Sequence, residues 1–298
     1  MKNKSSKTER IYFDYSATAP TDPRVIRVMS DFMEDFPGNP SSIHSFGRDS
    51  RNKIEEAREV IRDFIGAEEA SEVIFTSGGT ESDSMAIMGV LKKSKIAKPH
   101  VITTSIEHKA VLSLVYKLEK EGLIEATYLK VDRSGKVSME DFQREIKHNT
   151  VLVSVMYANN EIGTIQPIRE MGKHLEKINK SREKAGFPRV YLHTDAVQAF
   201  SYLNVNVKHL HVDLMSVSAH KFCGPKGVGF IYIKEGVQIE KTFVGGGQEF
   251  GKRAGTENTQ SIIGMAEAVK ILKKVQAEEV KKTKELRDIL IRGISKIE

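Results

Sequence analysis

Val212-Asp213-Leu214-Met215-Ser216-Val217-Ser218-Ala219-His220-Lys221-Phe222-Cys223-Gly224-Pro225-Lys226-Gly227 is the stretch on which the reading of this chain turns. An apolar run suited to a buried strand ends in a small polar turn, and the Gly-Pro pair with Gly227 breaks regular structure beyond it. Lys221 stands at the tip, three residues after Ser218 and next to His220. A lysine crowded by polar groups at a strand end is a candidate imine-forming amine, because burial and neighbouring cations lower its proton affinity.

The pattern repeats upstream. Apolar runs at 73–76, 100–104, 124–129, 151–156 and 190–194 each end in a polar cluster. Between them lie helical patterns: a helix after Ser82 bearing Met85, Ile87 and Val90, then 110–118, 139–146 and 167–178. Residues 228–233 read as a further strand, with an antiparallel direction open to it. Apolar strands alternating with amphipathic helices predict an α/β fold, a mostly parallel sheet of about seven strands covered by helices on both faces. Ligands of such sheets bind outside the carboxyl ends of the strands, where the polar clusters fall.

Outside this core, residues 11–15 read as a short strand and Asp22-Pro23 as the opening of a helix. Residues 37–44, with two prolines and a glycine, form a shaped loop, and a charged amphipathic helix at 46–65 is stopped by Gly66. Residues 245–258 are a glycine-rich irregular loop. From Thr259 to Glu298 there is no proline and the apolar spacing is helical, predicting one long helix or two joined ones.

Composition narrows the class. The 298 residues carry 46 basic and 40 acidic side chains, a formal charge of +6. Much of the excess lies in residues 1–10 and 270–284, read as solvated faces; no recognition motif accompanies it, so no direct nucleic-acid partner is expected. The basic N-terminus lacks the apolar segment of a secretory signal, and no later run is long enough to span a bilayer. Cys223 is the single cysteine, which excludes an intrachain disulfide and a cysteine-based metal cluster. A cytoplasmic protein without a metal site is the expectation.

The polar clusters match what an anionic aromatic aldehyde such as pyridoxal 5'-phosphate needs: an amine, an acid for its ring nitrogen, a donor near the ring oxygen, a flat partner and a phosphate cradle. Lys221 is the amine and Asp195 the acid, with Gln198 as the donor and His108 as the flat partner. Gly78-Gly79-Thr80 at a helix start offers N–H groups and a hydroxyl to a phosphate, completed by Ser218 and His220. Taken singly, each has an ordinary reading. Asp195 could be a helix cap, His108 a structural histidine, and the Gly-Gly-Thr turn a plain helix start. Their joint placement after successive strands carries the argument.

In these motifs the chain resembles cysteine desulfurases of the NifS/IscS type, within the class V aminotransferases. The resemblance rests on Tyr12-Phe13-Asp14-Tyr15-Ser16-Ala17-Thr18, Gly38-Asn39-Pro40-Ser41-Ser42-Ile43-His44, Phe75-Thr76-Ser77-Gly78-Gly79-Thr80-Glu81-Ser82 and Glu107-His108-Lys109-Ala110-Val111. It continues through Asn159-Asn160-Glu161-Ile162-Gly163-Thr164-Ile165-Gln166-Pro167, His193-Thr194-Asp195-Ala196-Val197-Gln198, Ser218-Ala219-His220-Lys221 and Arg253-Ala254-Gly255-Thr256-Glu257-Asn258, in the family's order.

The resemblance implies the fold type I of pyridoxal-phosphate enzymes. It implies that Lys221 bonds the cofactor, Asp195 pairs with its ring nitrogen, Gln198 contacts its hydroxyl, and His108 stacks on it and relays protons. Gly79, Thr80, Ser218 and His220 would hold the phosphate, and Asn159 would face ring and substrate. Thr256 would reach the phosphate of a neighbouring subunit, hence a homodimer. The implied reaction turns L-cysteine into L-alanine, leaving sulfur as a persulfide on an enzyme cysteine. An acceptor such as an iron–sulfur scaffold or a tRNA-thiolation enzyme would then take it.

The family's nucleophilic cysteine lies in a loop well after the Arg253–Thr256 motif, and this chain has no cysteine after Cys223. The expected division is an arm at 1–14, a large cofactor-binding domain at 15–258, and a helix at 259–298 leading into a small C-terminal domain that is mostly absent. A shortened piece of a longer protein is expected over a naturally short one, since the last helix would otherwise expose apolar surface. Cys223 is expected to be a small side chain on a tight turn, with no room for a substrate thiol. A related lyase, such as a selenocysteine lyase, and a non-catalytic sulfur-transfer scaffold are the alternatives.

Overall fold

The computed structural model describes residues 10–297. Of the arm expected at 1–14, residues 1–9 lie outside the described residues. The strands are β1 (Val73–Thr76), β2 (His100–Thr104), β3 (Glu125–Leu129), β4 (Thr150–Ser154), β5 (Tyr191–Asp195), β6 (Leu214–Ser218) and β7 (Gly229–Ile233). They form one seven-stranded sheet in the order β1-β7-β6-β5-β4-β2-β3. β2 to β6 are mutually parallel, and β7 runs against both of its neighbours, β6 and β1. The mostly parallel sheet expected from the sequence is present, with β7 as its antiparallel member.

The helices are α1 (Pro23–Asp35), α2 (Ser45–Ile65), α3 (Gly79–Lys93), α4 (Lys109–Lys120), α5 (Met139–Arg144), α6 (Ile168–Lys184), α7 (Val207–Leu210) and α8 (Thr259–Ile294). They cover both faces because the strands are apolar on both. In β1, Val73 and Phe75 enter the core that holds Ile61, Met171 and Met265, while Ile74 enters the opposite core with Met85 and Val115. Met215 and Val217 against Leu214 divide β6 in the same way. The period of two along each strand assigns the sides.

Local chemistry sets the helix ends. The Asp22 carboxylate accepts from the Arg24 N–H at 2.8 Å, with Pro23 in the first turn of α1. Gly66 ends α2 in the left-handed conformation, φ 65°, and a Cβ there would meet Asn206 Nδ2 at 2.0 Å.

Two expectations are settled here. The C-terminal segment is a single helix of 36 residues. Its first half buries Ile262, Met265, Val269 and Leu272, while Leu286, Ile289 and Leu290 farther along are exposed. The strand expected at 11–15 is not formed: residues 10–14 are irregular and 15–17 are a turn. Phe13 is 90% exposed. The Tyr12 hydroxyl donates to the carbonyls of Asp14 and Thr18, 2.9 Å each, so this segment closes on itself instead of pairing with the sheet.

Candidate active site

Five strand ends converge on one cavity of about 220 Å³. Asp195 ends β5, and Gln198 follows it in the next turn. Ser218 ends β6 and passes into a single 3₁₀ turn, Ala219–Lys221, which puts Lys221 on the wall. His108 caps α4 after β2: its Nδ1 accepts from the Ala110 N–H at 3.1 Å, which fixes the ring plane. Gly79 and Thr80 open α3 after β1, and Met156 and Asn160 follow β4.

Lys221 is half-buried, and its Nζ donates to the Ser16 carbonyl at 2.5 Å. Burial lowers its proton affinity, with Asp195 and Asp14 working against that. Gln198 Nε2 donates to the same carbonyl at 3.2 Å. Ala17 lines the cavity, and His220 Nδ1 lies 3.1 Å from Thr18 Oγ1. Residues 16–18 are thus part of the site, which the reading of 11–15 as a strand obscured.

Asp195 is buried and accepts from the Val197 N–H at 2.9 Å. Burial pushes its carboxyl up, opposed by that N–H and by His108 and Lys221. Burial first, then Lys221 and Lys226, push His220 down, so it is a neutral ring at pH 7. Among the described residues, no group of three His, Cys, Asp or Glu side chains could hold a metal.

A second cavity of about 380 Å³ adjoins this one, bordered by Gly78, Thr80, Ser218 and His220. Gly78, at the N-cap of α3, has no side-chain acceptor for the first-turn N–H groups. They remain open to an anion beside the positive end of a 15-residue helix. A Cβ on Gly79 would meet Val197 Cγ2 at 2.9 Å, so only glycine lets this turn approach the strand ends. Amine, buried acid, flat ring and open helix start fit pyridoxal 5'-phosphate.

Asn159 and Thr256 do not line this cavity. Asn159 is buried, with its amide shared between its own turn and the turn before α4. Its Oδ1 accepts from the N–H groups of Glu161 and Ile162, and its Nδ2 donates to the Ile106 carbonyl, all at 2.9 Å. Thr256 is exposed and borders a separate cavity of about 170 Å³ with Ser77 and Arg253.

Sequence reasoning missed two buried carboxyls, Asp83, which lines the cavity, and Glu107, which does not. Glu107 accepts from Thr104 Oγ1 at 2.6 Å and from the Met156 N–H, while burial pushes it up to about 8. It also missed Arg253, whose Nε donates to Glu81 Oε1 at 2.8 Å; Glu81 Oε2 accepts from the Ser77 N–H at 2.7 Å. That pair neutralises the one acid beside the phosphate turn. A mid-helix aspartate and an exposed-looking arginine carry no pattern that would single them out.

Comparison with known proteins agrees with this geometry. The family model described as aminotransferase class-V matches residues 11–298. The chain is 49% identical to the cysteine desulfurase IscS of Dictyoglomus turgidum over 286 residues, covering 96% of this chain and 70% of that protein. For the cysteine desulfurase IscS of Clostridium botulinum (strain Hall) the identity is 47%, covering 96% and 69%. A solved structure titled NifS-like protein superposes with a TM-score of 0.90 at 39% identity, covering 97% of this chain and 76% of that one. Another, titled SspA in complex with cysteine, gives 0.81 at 38%, covering 87% and 72%. The chain belongs to the class-V aminotransferases, in their pyridoxal-phosphate-dependent cysteine desulfurase branch.

Proposed function

We propose that Lys221 and Asp195 hold pyridoxal 5'-phosphate between them, and that this site turns L-cysteine into L-alanine while the sulfur passes as a persulfide to a cysteine thiol other than Cys223, the single cysteine of these 298 residues. What supports the reading is one juxtaposition: a half-buried amine and a buried carboxyl face a single cavity that opens onto an uncapped helix start. Bound there, the cofactor supplies an electrophilic carbonyl and an electron sink for the substrate's α-carbon.

The chain's own residues do the rest. Gly79, Thr80, Ser218 and His220 anchor the phosphate, and Asp195 keeps the ring nitrogen protonated. Gln198 donates to the ring hydroxyl. His108, held by the Ala110 N–H, covers the ring and moves protons. Asn159 shapes the turn that presents Asn160 to the cavity. Thr256 serves the phosphate of a second copy in a homodimer. The sulfur acceptor is a protein such as an iron–sulfur scaffold or a tRNA-thiolation enzyme, met in the cytoplasm; among the described residues, no helix is long and apolar enough to cross a membrane.

Asp195→Asn tests the assignment. Cofactor retention is expected to weaken at least about tenfold and alanine formation, followed with cysteine and dithiothreitol, to slow by about 100-fold. Unchanged alanine formation would remove Asp195 from the site. Cys223 is half-buried, at φ 60°, and burial pushes its thiol up. It is not a thiolate at neutral pH. Cys223→Ala should therefore leave sulfide release within about twofold; its loss would make Cys223 the nucleophile.

A further inference from the structure

Two buried carboxyls line the same cavity, and only one has a role in the reading above. Asp83, on α3, is 1% exposed and lines the cavity together with Asp195, which ends β5. Its Oδ1 has no hydrogen-bond partner in the protein. The nearest ring nitrogen, His193 Nε2, is 3.6 Å away, too far for a hydrogen bond. That ring is already committed: Nε2 lies 2.9 Å from Ser216 Oγ and Nδ1 2.9 Å from Ser154 Oγ. It is buried, and burial pushes it down to about 3, so no imidazolium stands ready to pair with Asp83.

Asp195 has what Asp83 lacks. It accepts from the Val197 N–H, and both Lys221 and His108 favour its charged form. Burial, then Asp195, then Glu107 push Asp83 well above the ordinary carboxylate range, against the Ser216 hydroxyl. Two buried carboxyls on one cavity repel each other's charge, and the charge goes to the one with the backbone N–H and the cationic neighbours.

We propose that Asp83 is the protonated half of this buried carboxyl pair and a positioning residue for Asp195, confining the pair's one negative charge to the carboxylate that faces the cofactor ring. The proposal rests on Asp195 being the ring's acid. Its consequence is an alkaline limit set inside the fold, because ionising Asp83 would put a second, unpaired charge under the cofactor. The groups facing the pair are His193 on β5, Glu107 and His108 after β2, Ser216 on β6, and Lys221 beyond it.

The sign follows from the raised proton affinity. An acid that holds its proton more tightly in the folded state costs no stability below its unfolded value, near pH 4, and progressively more as the pH rises above it. Asp83→Asn keeps the neutral shape and removes that cost. Thermal unfolding of the cofactor-free protein is expected to show equal midpoints for wild type and variant at about pH 4. At pH 8 the variant should be higher by about 3 °C or more. A variant less stable at every pH, or a gap that does not change with pH, would overturn the proposal.

The second arm titrates pyridoxal 5'-phosphate into the cofactor-free proteins at pH 8 and follows the visible band. Asp83→Asn should bind within about threefold of wild type, and Asp195→Asn at least about tenfold more weakly. Equal losses in the two variants would place charge on Asp83 and overturn it. Failure of the wild type to take up cofactor would refute the site assignment instead, while the unfolding arm, run without cofactor, still judges Asp83.

Discussion

Lys221→Ala is expected to lower alanine formation by at least about 10³-fold and to leave the cofactor removable. Lys221 reaches the cavity from a 3₁₀ turn whose backbone is held independently: the Ala219 N–H donates to the Val228 carbonyl, and the His220 carbonyl accepts from the Ala19 N–H. Truncating the side chain therefore removes an amine without unfolding the turn, and loses only its bond to the Ser16 carbonyl. The check is chemical. Wild-type protein loaded with cofactor, reduced with borohydride and then denatured should retain the pyridoxyl group on the chain, and the variant should release it. Retention in the variant would move the role to another lysine. Lys226, exposed beside the phosphate turn, is the first to examine.

The second large effect concerns stability. Arg58→Ala is expected to cost about 3–5 kcal/mol, a fall of roughly 10 °C in the unfolding midpoint. Arg58 is buried on α2, and its guanidinium pairs with both Glu249 oxygens at 2.7 and 2.9 Å. It also donates to the Val73 carbonyl at 2.7 Å and lies 4.5 Å from the Phe75 ring centroid and 5.0 Å from that of Phe250. Removing it leaves the buried Glu249 carboxylate without its cation, held among the described residues only by the Phe75 N–H at 2.8 Å. Glu249 and Phe250 also sit at φ 49° and 55°, a conformation side chains resist and which this pair holds in place. Faster proteolytic cleavage within 245–258 should accompany the lower midpoint. The double variant Arg58→Met with Glu249→Gln should recover more than half of the loss, because no buried charge is left alone. A double variant as unstable as the single would assign the cost to packing.

The sheet was legible because most of its strands are apolar runs, and so were the polar residues that end them. Lys221, Asp195, His108 and the Gly78–Thr80 turn stand at punctuation points where a buried run stops, and the fold brings those points to one edge. The segment at 11–15 misled because Ile-Tyr-Phe-Asp-Tyr has the composition of a strand. Strand propensity measures fit to a pleated, half-buried surface, and this segment has no such surface to join. Asn159 shows a different limit: its place in the motif does not reveal that its amide ties the Glu161–Ile162 turn to the Ile106 carbonyl. Asp83 was hidden inside a helical pattern, where one more polar residue on α3 looks like a solvated face. Arg58 and Glu249 are 191 residues apart, and charge patterning cannot see a pair at that distance.

The place of β7 bears on how the molecule comes to exist. β1 forms one edge of the sheet, and its single partner strand is β7, so Val73 waits for Tyr232 across more than half the chain. Pairing over such a span closes late, since the loop entropy must be met before the contacts repay it. On a ribosome, β2 to β5 can register with one another while β1 still presents bare N–H and C=O groups. The Gly78–Thr80 turn hangs on β1. A Cβ on Gly229, the first residue of β7, would sit 2.8 Å from Gly78 Cα, so the two halves of the cradle meet only when that last strand arrives. The cavity's wall is therefore whole only when β7 has paired with β1.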